Sequence, residues 1–280
     1  MTKLCFSDGV HNISNEQYHA SEGVSRSALM KLNNSPYHYW YEYVSGYADK
    51  ETDTDSMKIG NAFHTLLLEP HLFHDEFAVM PQVDRRTKEG KAIAADFEAA
   101  AGMKTVLTEY QYETAKSMAD AVIEHKMVKD LIYDAQYEQS IFWTDKETRL
   151  QFKARPDIWH PHIVVDLKST KSGEYRDFQS SAIRYGYFLQ AGMMYEACKA
   201  IGKPFEKFVF LSVEKTKPYA PSVYPLDDWA IEFGIEQFNS LKKTLRMCID
   251  KNEWPSYPIK ELRIPTWARD TIDYIADFDE

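Results

Sequence analysis

Hydrophobic positions in the first half of the chain recur at the spacing of amphipathic helices. Residues 57–68 show the clearest pattern, with apolar side chains at Ile59, Phe63, Leu66 and Leu67. Ser25 is typical of a residue that caps a helix start, and Pro36 suits the first turn of a second, aromatic-rich helix. Helical patterns also cover 89–101 and 109–125. The N-terminal part is therefore predicted to be mainly helical.

The pattern then changes to the period of two that is typical of strands. It predicts strands over Tyr137–Thr144, Arg149–Trp159 and Ile163–Lys168, with a turn at 145–148 between the first two. A long helix is predicted near 177–200. A strand over 208–213, an edge strand and a helix over 226–251 are expected to follow, before an irregular tail rich in Pro and Trp.

Together these elements predict a mixed α/β fold, with a central sheet flanked by helices and a helical N-terminal portion. We expect a single domain over 1–280. Its parts would be a mainly helical 1–130, a catalytic sheet with its helices over 131–255, and a tail over 256–280.

Strand alternation brings a candidate site together. Successive side chains of a strand point to opposite faces, so Asp166 and Lys168 share one face of the third strand. If the second and third strands form a hairpin, Asp157 lies beside them. Lys153 and Arg155 are predicted to share the face of Asp157.

Two acidic side chains in this setting need a chemical explanation. Buried carboxylates are costly unless they are paired or bind a metal, and two of them resist joint ionisation without a cation. Mg²⁺ suits such a site because it prefers oxygen ligands and retains waters, and a bound metal activates water for phosphate chemistry. Lys168 would then orient or deprotonate that water. The alternative is a structural Asp166–Lys168 ion pair with Asp157 in a turn.

Charge and cysteine content limit the function classes. The net charge of −10 argues against a protein that coats nucleic acid, but residues 149–176 carry six Lys/Arg against three Asp/Glu. The three cysteines form no CxxC or Cys/His cluster, which argues against zinc. The N-terminus shows no signal peptide and no window resembles a membrane span, so a cytoplasmic protein is expected.

The motifs around this site resemble those of a known nuclease superfamily. Arg155-Pro156-Asp157 followed by Asp166-Leu167-Lys168 looks like the PD-(D/E)XK signature. Gly60-Asn61-Ala62-Phe63-His64 resembles the G-x-x-x-H helix motif of its RecB-like branch, and Gln190 resembles the Gln of that branch's Q-x-x-x-Y motif. The pattern breaks four residues after Gln190, where Met194 stands and Tyr195 follows.

The chain also resembles the RecE (exonuclease VIII) nuclease-domain family over almost its whole length. The matching stretches are ISNEQYHA at 13–20, GVSRSAL at 23–29, GNAFHTLLLEP at 60–70, RRTKEGK at 85–91, SIFWTDKET at 140–148, and EWP and PTWA in the tail. The resemblance implies a 5′→3′ exonuclease on linear duplex DNA that leaves a 3′ single strand. It also implies Mg²⁺, with Mn²⁺ able to substitute, a ring-shaped homo-oligomer (a tetramer in RecE) and a RecT-like annealing partner.

The resemblance further assigns roles to individual residues. Asp157, Asp166 and the carbonyl of Leu167 would be metal ligands, and Lys168 the catalytic lysine. His64 would lie at the metal site, although hard Mg²⁺ disfavours imidazole; alone, the residue also fits a core or capping histidine. Further candidates are Glu138 and Gln190, of which Glu138 equally fits an exposed strand residue.

DNA contacts are expected at two places. Arg85, Arg86 and Lys91 lie in a basic, glycine-containing stretch before a helix, which suits phosphate binding and equally fits an ordinary solvated loop. Lys153 and Arg155 would contact the strand being cut, without sequence preference. The acidic segment 265–280 would keep DNA off an outer surface, support subunit contacts or simply solubilise the chain.

Two other functions remain open from the sequence. One is a RecB-like nuclease that acts on single strands or on particular DNA structures. The other is a non-catalytic DNA-binding relative with a relic site, against which the intact Asp157, Asp166 and Lys168 argue.

Overall fold

The structure is a computed structural model that describes residues 4–48, 52–266 and 268. Its helices are α1 (Asn15–Ala20), α2 (Arg26–Asn34), α3 (Pro36–Tyr43), α4 (Asp55–Leu68), α5 (Phe73–Glu76), α6 (Lys88–Ala101), α7 (Glu109–Glu124), α8 (Tyr175–Arg184), α9 (Tyr187–Ala200) and α10 (Asp228–Lys251). Its strands are β1 (Gly9–His11), β2 (Phe77–Met80), β3 (Thr105–Thr108), β4 (Gln136–Tyr137), β5 (Ser140–Thr144), β6 (Gln151–Ala154), β7 (Ile158–Trp159), β8 (Ile163–Thr170), β9 (Lys207–Glu214) and β10 (Pro221–Pro225). The mixed α/β class predicted from the sequence is confirmed.

A five-stranded sheet in the order β10-β9-β8-β7-β4 forms the centre of the fold. Strands β8 and β9 run parallel, and the other neighbours pair antiparallel. Val164 and Phe208 belong to the hydrophobic cluster on one face, together with α2 and α9. Val165 and Leu167 belong to the cluster on the other face, together with α4 and α7. A strand covered on both faces explains the continuous apolar run before Asp166.

The helices of the N-terminal half begin where the sequence predicts. The Ser25 side chain accepts the amide of Ala28 and caps α2, and Pro36 occupies the first turn of α3. Helices α4, α6 and α7 each begin within two residues of the predicted positions. Each of these three follows a threonine whose side chain accepts a backbone amide of the first turn.

Two long strands predicted from the sequence are each divided between two sheets. The stretch 137–144 splits into β4 and β5 at Glu138, whose φ of 50° takes the backbone out of the extended region. The stretch 149–159 splits into β6 and β7 on either side of Pro156, which cannot donate to a ladder. β5 and β6 pair with β1 in a separate three-stranded sheet. Both segments therefore pass from one sheet to the other side by side. Glu138 and Asp157 lie where they cross, and the amide of Glu138 donates to the carbonyl of Asp157.

The predicted helix over 177–200 is also two helices. α8 ends before Tyr185, and Gly186 adopts a left-handed φ of 63° that breaks the helix. A β-carbon at Gly186 would overlap the side chain of Met30, so the break also allows close packing of α2. The new direction buries half of α9, and its buried side chains share a hydrophobic cluster with the central sheet.

Short strands in the N-terminal half escaped the prediction. β1 has three residues and joins the sheet of β5 and β6, while β2 and β3 have four residues each and form a parallel pair. Such short segments carry no readable period.

None of the helices in the described part of the chain is long and apolar enough to span a membrane. Most of the acidic segment 265–280, including Trp267, lies outside the described residues.

Helices α9 and α10 approach each other closely because glycines face each other at their crossing. A β-carbon on Gly192 would overlap the backbone carbonyl group of Gly234. A β-carbon on Gly234 would likewise overlap the carbonyl oxygen of Phe188. Backbone atoms cannot rotate away as a side chain can, so this crossing excludes any larger residue.

We expect Gly192→Ala to destabilise the fold by about 3 kcal/mol, because overpacking against backbone forces the two helices apart. The matched control is Gly60→Ala in α4, where the new β-carbon would meet only the Ser169 hydroxyl, at 2.9 Å. That hydroxyl can rotate, so the control should remain within about 1 kcal/mol of the wild type. Urea unfolding measures both variants, and equal midpoints would contradict this account of the crossing.

Candidate active site

Asp157 lies immediately before β7, at the end of the hairpin that β7 forms with β8. The register pairs Ile158 with Val165, which places Asp157 across from Asp166. The amide of Leu167 donates a hydrogen bond to Asp157 Oδ2 at 2.6 Å. The hairpin predicted from the sequence therefore forms, and it holds the two carboxylates side by side.

Asp166 is the most buried acidic residue of the site, with 1% of its side chain exposed. Its Oδ1 accepts a hydrogen bond from the Gln190 amide, and its Oδ2 forms an ion pair with Lys168 Nζ. Lys168 Nζ also donates to Gln190 Oε1 at 3.3 Å. Gln190 on α9 therefore bridges the lysine and the carboxylate and fixes both.

His64 approaches from α4, on the other side of Asp157. Gly60, one turn earlier, faces the side chain of Ser169 in β8. The two nearest atoms, His64 Nδ1 and Asp157 Oδ1, are 3.9 Å apart, which exceeds hydrogen-bonding distance. Burial lowers the pKa of His64 to about 4, and the positive charge of Lys168 acts in the same direction. The ring is therefore neutral at pH 7 and can serve as a ligand.

Glu138 joins the cluster from the junction between β4 and β5. Its Oε2 accepts a hydrogen bond from Arg155 Nε at 2.6 Å. Burial raises the pKa of Glu138 to about 7, against the lowering effect of Arg155, and the nearby charge of Glu69 raises it further. Glu138, predicted to lie on the first strand, lies instead in a bend between β4 and β5.

The His64, Glu138 and Asp157 side chains form the one group in the described part of the chain that meets the geometry of a metal site. One ligand atom from each lies within 4.8 Å of the others. Burial first, and then the charges of Asp166 and Glu138, raise the pKa of Asp157 well above its usual range. A divalent cation stabilises the ionised form of carboxylates whose pKa is raised in this way. The residues present therefore fit a metal.

Exposure shows from which side such an ion can enter. The side chains of His64, Glu138 and Asp157 are 27%, 18% and 13% exposed, whereas that of Asp166 is 1% exposed. The cluster is open to solvent on the histidine side and closed at the base. Asp166 and Leu167, predicted as ligands, lie at that closed base, where Asp166 is engaged by Lys168 and Gln190.

An aromatic ring reaches the lysine from an unexpected position. Lys168 Nζ lies 4.9 Å from the ring centroid of Tyr187, three residues before Gln190 in α9. Tyr195 packs against Phe205 instead, with the ring centroids 5.6 Å apart, and Met194 is buried. The sequence motif points to the position four residues after Gln190. Tyr187 instead lies three residues before Gln190, on the same face of α9.

The structure corrects the expectation that Lys153 and Arg155 contact DNA. Lys153 is buried, and its ammonium donates to the carbonyls of Tyr18 and Ser21 at 2.7 and 2.8 Å. Arg155 is 7% exposed and binds Glu138 and the carbonyl of Ile13. Both cations attach the N-terminal segment to the sheet. Strand alternation could not reveal this, because it does not show that α1 covers that face.

The basic stretch 85–91, which ends in the first turn of α6, remains a predicted phosphate-binding segment. Arg85 pairs with Glu98 at 2.9 Å, Arg86 pairs with Asp84 at 3.1 Å, and Lys91 is exposed in α6. The amide of Gly90 is capped by the Thr87 side chain. These internal ion pairs are exposed, so phosphates can displace them at little cost.

The fold and this cluster define a protein of the PD-(D/E)XK class. Residues 25–260 match the family described as PDDEXK-like domain of unknown function (DUF3799), and the chain belongs to that family. This membership confirms the PD-(D/E)XK resemblance, is consistent with a RecE-like nuclease and supports a nuclease. No curated protein sequence matches the chain significantly.

One solved structure shows the same fold, and a second aligns with part of this chain. A candidate exonuclease from Eubacterium rectale superposes with a TM-score of 0.61 at 14% identity, over 95% of this chain and 99% of that one. A phage-related exonuclease from Haemophilus somnus gives a TM-score of 0.35 at 12% identity, over 68% of this chain and 95% of that one. At these identities the first similarity establishes the fold alone.

We expect Asp157→Asn to weaken divalent-metal binding at least tenfold, because removing a ligand charge from the cluster lowers its affinity for the ion. Isothermal titration with Mg²⁺ and Mn²⁺ measures this without any substrate. Glu147→Gln is the matched control, since it removes one exposed carboxylate in the turn between β5 and β6. If both variants bind the ions as the wild type does, the cluster is not the metal site.

Proposed function

We propose that this protein is a Mg²⁺-dependent exodeoxyribonuclease that degrades linear double-stranded DNA in the 5′→3′ direction and leaves 3′ single strands. The observation that carries the nuclease part is the arrangement of Asp157, Asp166 and Lys168 around the β7–β8 hairpin, with His64 and Glu138 beside them. Family membership supports the class. Mn²⁺ is expected to substitute for Mg²⁺.

The reaction follows from what each side chain can do. Asp157, Glu138 and His64 would hold the metal, which would supply an acidified water and charge stabilisation at the phosphate. Lys168, whose ammonium is fixed by Gln190 and Asp166, orients the attacking water and offsets charge on the phosphate. The water oxygen bonds to phosphorus and its proton passes to solvent, while the bond to the 3′ oxygen breaks and the leaving 3′ oxygen takes up a proton from solvent.

Polarity, duplex preference and biological role rest on the resemblance to the RecE family. They include action at duplex ends, a homo-oligomeric ring with four subunits, and handover of the 3′ strand to a RecT-like annealing protein for recombination. A cytoplasmic location accompanies this role. The duplex end as substrate is the part of the proposal that is most directly tested by experiment.

A second candidate keeps the chemistry and changes the substrate to single-stranded or structured DNA, as in the RecB-like branch. The geometry of the carboxylates and the lysine is compatible with either substrate. A non-catalytic relative is disfavoured, because Asp157, Asp166, Lys168 and Gln190 form a connected network. Substrate ends and strand number distinguish the candidates.

We expect the purified protein with Mg²⁺ to degrade linear duplex DNA from its 5′ ends and to spare covalently closed circles. Linear duplexes labelled at the 5′ or the 3′ terminus, incubated with and without chelator, report activity, polarity and metal dependence together. Early release of the 5′ label is expected. Equal digestion of closed plasmid would exclude an exonuclease, and faster digestion of single strands would favour the second candidate.

We expect Lys168→Ala to lower kcat by at least a thousandfold while the protein stays folded. The lysine acts on the attacking water and on developing charge, and one such group contributes about 3 kcal/mol or more to the barrier. Lys171→Ala, three residues further and just after β8, is the matched control. Near-normal kcat for Lys168→Ala, with an unchanged circular-dichroism spectrum, would refute this role.

A further inference from the structure

A cavity of about 710 Å³ opens directly beside the lysine of the site. Lys168 and Gln190 line one part of it, and residues of α1, the start of α2, α3, β6 and α9 line the remainder. None of these other lining residues belongs to the metal cluster. The cavity therefore extends the site in a direction that the catalytic residues do not explain.

The lining has the chemistry of a nucleotide site. Four cationic side chains line the cavity against one carboxylate, Glu22; the cations are Arg26, Lys153, Arg155 and Lys168. Three tyrosines also line it, namely Tyr18, Tyr39 and Tyr43. Positive charge suits phosphates, and the exposed ring of Tyr43 provides a surface on which a base can stack, whereas the rings of Tyr18 and Tyr39 are buried.

Arg26 differs from the other cations in how it is held. Lys153 and Arg155 bind oxygens of the protein itself, as described above. Arg26 donates from one terminal nitrogen to the carbonyl of Tyr185, whereas its buried Nε has no hydrogen-bond partner among the described residues. A buried donor without a partner is costly, and a phosphate oxygen is the acceptor that arginine binds best.

Tyr187 places Arg26 next to the catalytic lysine. The guanidinium carbon of Arg26 lies 5.7 Å from the ring centroid of Tyr187, and Lys168 Nζ lies 4.9 Å from the same centroid. One ring therefore positions both cations. A backbone phosphate at Arg26 would belong to the nucleotides that flank the bond being cut.

We propose that this cavity receives the strand being cut and that Arg26 binds one of its backbone phosphates next to the scissile bond. The inference rests on the proposed nuclease function and adds the strand-binding residue that Lys153 and Arg155 do not supply. Arg26 is the first residue of α2, and Ser25 fixes its place by capping the helix.

The test compares wild type, Arg26→Ala and Arg26→Lys on duplexes with an unmodified strand or with one neutral methylphosphonate next to the scissile phosphate. Arg26→Ala should lower kcat/KM on unmodified DNA about tenfold to a hundredfold. Its plot of log kcat/KM against log salt should be shallower by about 0.7 to 0.9, which corresponds to one lost phosphate contact. Arg26→Lys should restore part of kcat/KM and most of the salt slope.

The neutral linkage provides the decisive comparison. It should impair the wild type by a similar factor and add little to the defect of Arg26→Ala, because the variant has already lost that contact. Lys207→Ala is the matched control, since Lys207 is exposed and lies at the far end of β9. This control should match the wild type in salt slope and in sensitivity to the linkage.

Two failures are distinguishable. If the wild type does not cut unmodified DNA, the proposed nuclease function fails, whatever Arg26 does. If the wild type cuts, but Arg26→Ala keeps the wild-type salt slope and loses as much as the wild type from the neutral linkage, the assignment of Arg26 is overturned. A thermal melt of each variant ensures that activity is compared between folded proteins.

Discussion

The site is built around one electrostatic constraint, which is that two carboxylates lie across from each other on neighbouring strands in a buried region. Asp157 and Asp166 cannot both carry unscreened charge there. The protein answers with an amide from Leu167 on one carboxylate, and with Lys168 and Gln190 on the other. The remaining negative charge, shared with Glu138, faces the open side of the cluster. There a divalent cation would complete the neutralisation.

This constraint also organises the surrounding elements. α9 is needed to bring Gln190 and Tyr187 to the lysine, and its break from α8 at Gly186 sets its direction. α4 is needed to bring His64 to the cluster. Arg155 holds Glu138 through Nε, while its Nη1 donates to the carbonyl of Ile13 in the N-terminal segment. Side chains from distant parts of the chain therefore hold the carboxylate oxygens of Glu138 and Asp166 in place.

The sequence was sufficient for the centre of the site and insufficient for its surroundings. Asp166 and Lys168 are close in sequence on one strand, so alternation alone places them together. Glu138 and Asp157 meet because two strands leave one sheet for another, and this depends on tertiary packing that no local pattern encodes. Lys153 was misread because a strand pattern cannot show which face a distant helix covers. Tyr187 and Arg26 were missed because their meeting depends on the break at Gly186.

The shared change of sheets has a consequence for how the site comes into being. β4 and β7 belong to the central sheet, while β5 and β6 belong to the sheet that the N-terminal strand β1 completes. Residues on the two crossing segments reach their places only when both sheets have formed and docked. The metal cluster therefore forms only in the folded protein: a newly made or partly unfolded chain has the same residues but no assembled site. We therefore expect metal binding and catalysis to appear only after both sheets have formed and packed together.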